Sequence, residues 1–211
     1  MGFRDRRDAG RQLADRVVEL GLVAPVVLGL PRGGVPVAAE VARALGAPLD
    51  VIVARKIGLP GQPEFGIGAV AEGDAPAVRS DVVADLGLTD DEFDAVVARE
   101  RDEVARRVHL YRRGRPLVDV RDRDVVVVDD GLATGVTAEA ALLALRTRNP
   151  RQLVMAAPVG AHDTVLRLFA VADEVVCVET HSDFFAVGRW YQNFTQTSDE
   201  EVIDLLAARL P

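Results

Sequence analysis

The run of four valines at residues 125–128 constrains the fold of this chain more than any other segment. It is short and fully apolar, whereas a strand with one face in water alternates apolar and polar residues. An unbroken Val-rich strand is typical of the centre of a parallel sheet, where helices cover both faces. The run therefore predicts an α/β fold in which residues 125–128 form a buried central strand.

Apolar segments alternate with helical patterns along the rest of the chain, as they do in proteins built on a parallel sheet. Further strands are predicted at residues 26–30, 49–54, 67–71, 153–159 and 174–178. Helices are predicted at residues 4–20, 35–45, 89–113 and 137–148, with two more that begin near residues 162 and 198. We expect one domain over residues 1–211, with a parallel sheet of about five strands.

Composition narrows the classes of protein to which the chain can belong. Hydrophobic residues make up 49% of it, enough for a buried core, and the formal net charge of -8 argues against a general nucleic-acid binder. The one cysteine, Cys177, excludes an internal disulfide and suits a reducing compartment. No apolar run approaches the roughly 18 residues of a membrane span, and residues 1–8 are too charged for a signal peptide. We expect a cytoplasmic protein with no nucleic-acid or membrane partner.

Two carboxylates, Asp129 and Asp130, follow the valine run directly and precede a Gly- and Thr-rich loop at residues 131–137. Open α/β folds bind ligands at the carboxyl ends of their strands. The loop opens a helix, whose free N–H groups and dipole favour a phosphate, and the carboxylates can accept hydrogen bonds from sugar hydroxyls. A plain turn with an Asp cap is the alternative. The order of strand, acid pair and Thr-Gly-x-Thr loop favours a sugar-phosphate site.

The segment Val-Val-Val-Val-Asp-Asp-Gly-Leu-Ala-Thr-Gly-Val-Thr at residues 125–137 resembles the phosphoribosyl pyrophosphate (PRPP) motif of type I phosphoribosyltransferases. The resemblance implies their Rossmann-like fold with a small hood, formed here by the N-terminal helix and residues 180–211. It also implies that Asp129 and Asp130 bind the ribose 2′ and 3′ hydroxyls. The implied binding residues for the 5-phosphate are Ala133, Thr134, Gly135, Val136 and Thr137.

A second segment of the same resemblance is Arg32-Gly33-Gly34, which follows the first predicted strand. It matches the loop that binds pyrophosphate in this family, where a cis non-proline peptide bond is common and would fall at Pro31–Arg32 or next to it. Consecutive glycines can turn their N–H groups toward a diphosphate, and Arg32 adds charge. By itself an Arg-Gly-Gly sequence is more often a plain turn.

The pair Arg55-Lys56 matches the start of the flexible catalytic loop of the family, where basic residues reach the pyrophosphate. Lys56 is the only lysine of the chain, which otherwise uses Arg. A pair of basic residues that merely flank a strand end is the alternative. The Gly- and Pro-rich residues 58–66 that follow predict either a mobile loop or a hairpin. The predicted catalytic residues are Asp129, Asp130, Lys56 and Arg55.

Aromatic residues concentrate at residues 184–194, within the expected hood. Phe184, Trp190 and Tyr191 are candidates to stack on an acceptor base, or they seal the hood onto the sheet. The long helix at 89–113 has the pattern of a solvated charged face plus an Ala/Val stripe, and not of a binding patch. In relatives that use 6-oxopurines an Asp stands where this chain has Ala133, so a carboxylate for the base would come from Glu64 or Glu72, or be absent.

The resemblance implies a Mg²⁺-dependent enzyme that transfers the 5-phosphoribosyl group from PRPP to a nitrogenous base and releases pyrophosphate, as in nucleotide salvage. Mg²⁺ would be held chiefly by PRPP oxygens and water, with Asp129 and Asp130 as the candidate protein ligands. We expect a homodimer. The alternative is a PRPP-binding regulator of the same fold without transferase activity. Retention of Arg32-Gly33-Gly34 and of Arg55-Lys56 favours the enzyme.

Overall fold

The computed structural model of the chain describes residues 2–73, 75–79 and 86–208. The helices are α1 Arg6–Val18, α2 Gly34–Leu45, α3 Asp90–Arg112, α4 Val136–Arg146, α5 His162–Leu168 and α6 Asp199–Ala207, with a short 3-10 helix at Val187–Trp190. The strands are β1 Val26–Gly29, β2 Leu49–Val51, β3 Ala54–Leu59, β4 Gln62–Ala71, β5 Val78–Arg79, β6 Asp124–Val128, β7 Gln152–Ala161 and β8 Glu174–His181. Within this described part, no helix is long and apolar enough to cross a membrane.

Five of the strands form a parallel sheet in the order β2-β1-β6-β7-β8, so β6 lies at its centre. All four valines of residues 125–128 are fully buried, as their sequence predicts. Because successive side chains of a strand point to opposite faces, Val126 and Val128 pack with α1 and α2, whereas Val125 and Val127 pack with α4. The helices therefore cover the sheet on both sides, and the predicted α/β architecture is confirmed.

A second, antiparallel sheet is built from β3, β4 and β5. The strand predicted at 49–54 divides here, because β2 stays in the parallel sheet and β3 leaves it at Ala54. Strands β3 and β4 form a hairpin with register shifts near Gly58, and its tight turn includes Gly61 at a φ of 82°. Residues 58–66 therefore form part of a hairpin, which is one of the two predicted arrangements.

Helix α3 begins and ends on polar contacts. At its start, Thr89 and Glu92 form the predicted capping box, with both reciprocal hydrogen bonds present. At its end the guanidinium of Arg112 is buried between two carboxylates, 3.4 Å from Asp50 and 2.5 Å from Glu72. It also donates to the Val51 carbonyl. These contacts tie the helix to the parallel sheet and to the hairpin at once.

The N-terminal segment and the residues after β8 pair with each other above the sheet. The Phe3 N–H donates to the Trp190 carbonyl (2.7 Å), and the Gln192 N–H donates to the Phe3 carbonyl (2.8 Å). Phe3 and Tyr191 are buried together against Val159 of β7. We refer to residues 2–10 and 184–197 as the hood. This set is narrower than the predicted one, because the rest of α1 packs on the sheet and α6 packs on α2 and α3. Residues 209–211, which belong to the predicted hood, lie outside the described residues.

Replacement of Arg112 by Met should destabilise the protein by about 3–5 kcal/mol, because it leaves the buried carboxylates of Asp50 and Glu72 without their shared cation. Urea unfolding at neutral pH measures this loss. Arg99→Met, on the exposed side of the same helix, is the matched control and should change stability by less than about 0.5 kcal/mol. A loss similar to that of the control would contradict the role given to the Arg112 cluster.

Candidate active site

A cavity of about 410 Å³ lies where the carboxyl ends of β1 and β6 meet. Since the two strands are parallel neighbours, the segments that follow them arrive at the same edge of the sheet. The predicted residues that line the cavity are Arg32, Gly33, Arg55, Lys56, Asp129, Asp130 and Thr137. Arg107 of α3 lines it as well. The fold thus brings the acid pair, the Arg-Gly-Gly turn and the basic pair into one cavity.

Each carboxylate of the acid pair has one engaged oxygen and one open oxygen. Asp129 Oδ1 accepts from the Asp130 N–H at 2.8 Å, and Asp130 Oδ2 accepts from Arg6 Nε at 2.7 Å. The other two oxygens, Asp129 Oδ2 and Asp130 Oδ1, have no hydrogen-bond partner among the residues that the structure describes. Two oriented acceptors on adjacent residues that line one cavity suit two neighbouring hydroxyl groups.

Burial disfavours negative charge at this pair. It raises the pKa of Asp129 well above its ordinary value, and the adjacent Asp130 charge raises it further. Burial also raises the pKa of Asp130, where the Arg6 guanidinium opposes the shift. Sequence analysis missed Arg6, because nothing in the pattern of an N-terminal helix indicates that one of its side chains reaches the end of β6.

The loop at residues 131–137 presents an open helix N-terminus to solvent. Four successive carbonyls of this loop accept hydrogen bonds from the protein. The donors are the Ala161 N–H to Leu132, the Thr164 hydroxyl to Ala133, the Arg167 guanidinium to Thr134 and the Glu139 N–H to Gly135. Within the described chain, no side chain caps the start of α4, and Gly135 adopts a φ of 69° there. With the carbonyls turned into the protein, the first N–H groups of α4 remain for an anion.

The turn after β1 packs so closely on the acid pair that it needs glycine. The Pro31–Arg32 peptide bond is cis, as expected. A Cβ at position 33 would lie 2.0 Å from Asp130 Oδ2, and one at position 34 would lie 2.5 Å from the Val128 carbonyl oxygen. The Gly34 N–H already donates to the Leu30 carbonyl. The Gly34 N–H is therefore already engaged, which corrects the expectation that both glycine N–H groups face a diphosphate. Gly34 instead allows close packing of the turn against the Val128 carbonyl.

Four basic side chains, which we call the basic wall, line the same cavity as the acid pair. Arg55 Nε donates to Glu100 Oε2 at 2.6 Å, and Arg107 Nε donates to Glu103 Oε1 at 2.9 Å. Both acids belong to α3. The predicted Ala/Val stripe of this helix is confirmed, since Val96, Val97 and Val104 are buried, and part of its charged face borders the cavity. The Glu-x-x-x-Arg spacing of Glu103 and Arg107 is also common on ordinary surface helices. The sequence alone therefore did not indicate that this part of the helix borders the cavity.

Two other basic residues of this wall are the predicted Arg32 and Lys56. Arg32 lies 3.8 Å from Asp199, whose carboxylate also accepts from the Tyr111 hydroxyl at 2.6 Å. Lys56 is exposed, and its side chain passes over Gly66, where a Cβ would lie 1.8 Å from Lys56 Cε. The glycine of the hairpin thus makes room for the one lysine.

The aromatic candidates divide between two outcomes. Tyr191 is buried, and its hydroxyl donates to the Asp130 carbonyl at 2.6 Å, so it anchors the acid turn and cannot stack on a base. Trp190 stacks on His181 with ring centroids 3.6 Å apart, and Phe184 lies 6.1 Å from Trp190. For Tyr191 the sealing role is correct, whereas a base contact by Phe184 or Trp190 stays a prediction.

The two acids considered for the base do not join the cavity wall. Glu72 is buried in the ion pair with Arg112, away from the acid pair. The side chain of Glu64 lies outside the described residues. Ala133 contributes its carbonyl to Thr164 and adds no charge. The described part of the chain therefore offers no carboxylate besides Asp129 and Asp130 to a ligand in this cavity.

The chain matches the family model for the phosphoribosyl transferase domain over residues 6–192. This match covers most of its length, and the chain belongs to that family, as its sequence predicts. It is 51% identical over 204 residues to proteins from two strains of Mycobacterium tuberculosis that carry a provisional phosphoribosyl transferase name. The alignment covers 97% of this chain but 46% of those proteins, so the chain spans about half the length of these curated relatives.

Two solved structures share the fold of the chain. The protein TT1426 from Thermus thermophilus is 49% identical with a TM-score of 0.82, and 98% of each chain is covered. A purine phosphoribosyltransferase from Pyrococcus horikoshii is 18% identical with a TM-score of 0.51, covering 92% of this chain and 90% of that one. The second likeness concerns the fold alone, which is the type I phosphoribosyltransferase fold.

Asp129→Asn should stabilise the protein in the absence of ligand, and more so at high pH. The folded-state pKa of Asp129 is raised above the unfolded value of about 3.9, so wild type loses stability as the pH rises through the folded pKa. Urea unfolding at about pH 8 and about pH 4 should therefore give a larger advantage to the variant at the higher pH.

The matched control for this prediction is Asp15→Asn, which makes the same replacement at an exposed position of α1. It should change stability by less than about 0.5 kcal/mol at both pH values, because the side chain is not buried. An Asp129→Asn advantage that is equal at both pH values would show that burial does not disfavour the charge of Asp129.

Proposed function

We propose that this protein transfers the 5-phosphoribosyl group from PRPP to a nitrogen atom of a base-like acceptor and releases pyrophosphate. The observation that carries the proposal is the arrangement of the cavity. One cavity brings together two open carboxylate oxygens, the uncapped start of α4 with Thr137, and the basic wall. A ribose diol, a monophosphate and a diphosphate are the three groups that such walls fit.

Each part of PRPP then has its own partner. Asp129 Oδ2 and Asp130 Oδ1 accept hydrogen bonds from the ribose hydroxyls. Residues 133–137 receive the 5-phosphate with the first N–H groups of α4, and the Thr134 and Thr137 hydroxyls add donors. Arg32, Arg55, Lys56 and Arg107 are the candidate cations for the diphosphate. Arg55 would exchange Glu100 for phosphate oxygens, because both are anionic acceptors for the same guanidinium.

In the reaction, the acceptor nitrogen forms a bond to C1 of the ribose while the bond between C1 and the diphosphate oxygen breaks. The electron pair of that bond leaves with pyrophosphate, and the nitrogen releases its proton to water. Positive charge develops on the ribose ring, where the two carboxylates stabilise it, and the basic wall stabilises the departing diphosphate. The chain contributes mainly position and charge.

The site residues are compatible with Mg²⁺ that is shared with the substrate. The open oxygens of Asp129 and Asp130 are the hard donors that this ion prefers. No cluster of three or more His, Cys, Asp or Glu side chains in the described ranges could hold a metal by itself, so the remaining ligands would be PRPP oxygens and water. When bound, the ion would neutralise diphosphate charge.

The test is pyrophosphate release from Mg²⁺-PRPP across a panel of nitrogenous acceptors. Release that depends on both PRPP and one acceptor class supports the proposal and identifies the acceptor. PRPP binding with no release for any acceptor favours the regulator of the same fold. In the Asp129→Asn/Asp130→Asn double variant, PRPP affinity should fall by about two to four powers of ten, since each charged hydrogen bond contributes roughly 1.5–3 kcal/mol. Retained affinity would contradict the ribose assignment.

Arg32→Ala should weaken the binding of pyrophosphate more than that of ribose 5-phosphate. The arginine is assigned to the diphosphate alone, and the loss of one charge-assisted contact costs about 1.5–3 kcal/mol. Calorimetric titration of both ligands into wild type and variant measures the difference. Arg106→Ala, an exposed arginine that is absent from the cavity wall, is the control and should change neither affinity. An equal loss for both ligands would assign Arg32 elsewhere.

A further inference from the structure

Arg6 of α1 makes three different contacts at the edge of the cavity. Its Nε donates to Asp130 Oδ2 at 2.7 Å, and its Nη1 donates to the Thr195 carbonyl at 2.7 Å. The guanidinium carbon lies 3.9 Å from the centroid of the Phe194 ring. Only 11% of the side chain is exposed, against 14% for Asp130. The guanidinium is therefore held between Asp130, just after β6, and the hood residues Phe194 and Thr195.

These contacts fix the orientation of the Asp130 carboxylate. The group can rotate about its χ2 bond, and rotation changes the direction in which its two equivalent oxygens present their lone pairs to the cavity. With Oδ2 bound to Arg6, Oδ1 is the oxygen that remains open. The Tyr191 hydroxyl fixes the Asp130 backbone carbonyl at 2.6 Å, so the hood orients both the main chain and the side chain of this residue.

We propose that Arg6 is the positioning residue through which the hood orients Asp130 and thereby sets the preference of the site for an intact ribose diol. Arg6 acts through Asp130 and needs no contact with the sugar. The inference rests on the proposed function, because it assumes that the two open oxygens bind sugar hydroxyls.

The geometry also explains why an arginine occupies this position. The planar guanidinium presents Nε and Nη1 in different directions, so one side chain bridges the carboxylate and the Thr195 carbonyl while its face packs on Phe194. A lysine has one charged nitrogen and cannot keep all three contacts. Arg6→Lys should therefore preserve the charge near Asp130 and restore its orientation only in part.

The test compares the binding of ribose 5-phosphate, 2-deoxyribose 5-phosphate and 3-deoxyribose 5-phosphate by calorimetry. Each deoxy sugar lacks one of the two hydroxyls. In Arg6→Gln, discrimination against one of the deoxy sugars should fall by about tenfold or more, the equivalent of one oriented charged hydrogen bond. Discrimination against the other should persist, because Asp129 is oriented by the Asp130 N–H and not by Arg6. Arg6→Lys should give intermediate values.

Arg11→Gln is the matched control, since it removes the same charge from an exposed position of the same helix. It should leave all three affinities as in wild type. If wild type binds ribose 5-phosphate and Arg6→Gln discriminates against both deoxy sugars as wild type does, the positioning role is overturned and the proposed function stands. An equal loss of affinity for all three sugars also overturns it. If wild type does not bind ribose 5-phosphate, the proposed function fails, and this inference fails with it.

Discussion

The contact between the turn after β1 and the end of β6 is the constraint on which the candidate site depends. The two strands are parallel neighbours, so the chain must bring both of the following segments to one place. Gly33 and Gly34 allow this, because a Cβ at either position would collide with Asp130 or with the Val128 carbonyl. The same space lets Arg6 reach Asp130 beside Gly33, so three distant parts of the chain converge there.

The acidic and basic side chains that meet at this edge of the sheet determine which chemical groups the candidate site can bind. Two half-buried carboxylates, Asp129 and Asp130, share one cavity with the basic wall. Helix α3 supplies Glu100 and Glu103, which form ion pairs with Arg55 and Arg107 of that wall. Hydrogen bonds from Arg106 and Arg107 lower the pKa of Glu103 to about 2, so this acid stays ionised at neutral pH. The helix can play this role because the capping box fixes its start and the buried Arg112 cluster fixes its end.

Local signals predicted much of the fold and the centre of the site. The valine run, the acid pair and the Thr-Gly-x-Thr loop lie within thirteen consecutive residues (125–137), and each has a direct physical meaning there. The capping box of α3 is equally local. The hairpin at residues 54–71 was only one of two expectations, because Gly and Pro break regular structure but do not exclude strands that twist and bulge.

The sequence by itself determined the central strand, the helices that cover it and the acid pair at its end, because these follow from the order of apolar and polar residues over short distances. Only the tertiary structure decided which arginines matter. Arg6 and Arg107 look like any surface arginines of charged helices, and their roles come from the packing of α1 and α3 around the sheet edge. Tyr191 likewise became an anchor and not a stacking platform, since its hydroxyl meets the Asp130 carbonyl. The residues that make these contacts lie far apart in the sequence, so no local sequence pattern could have predicted them.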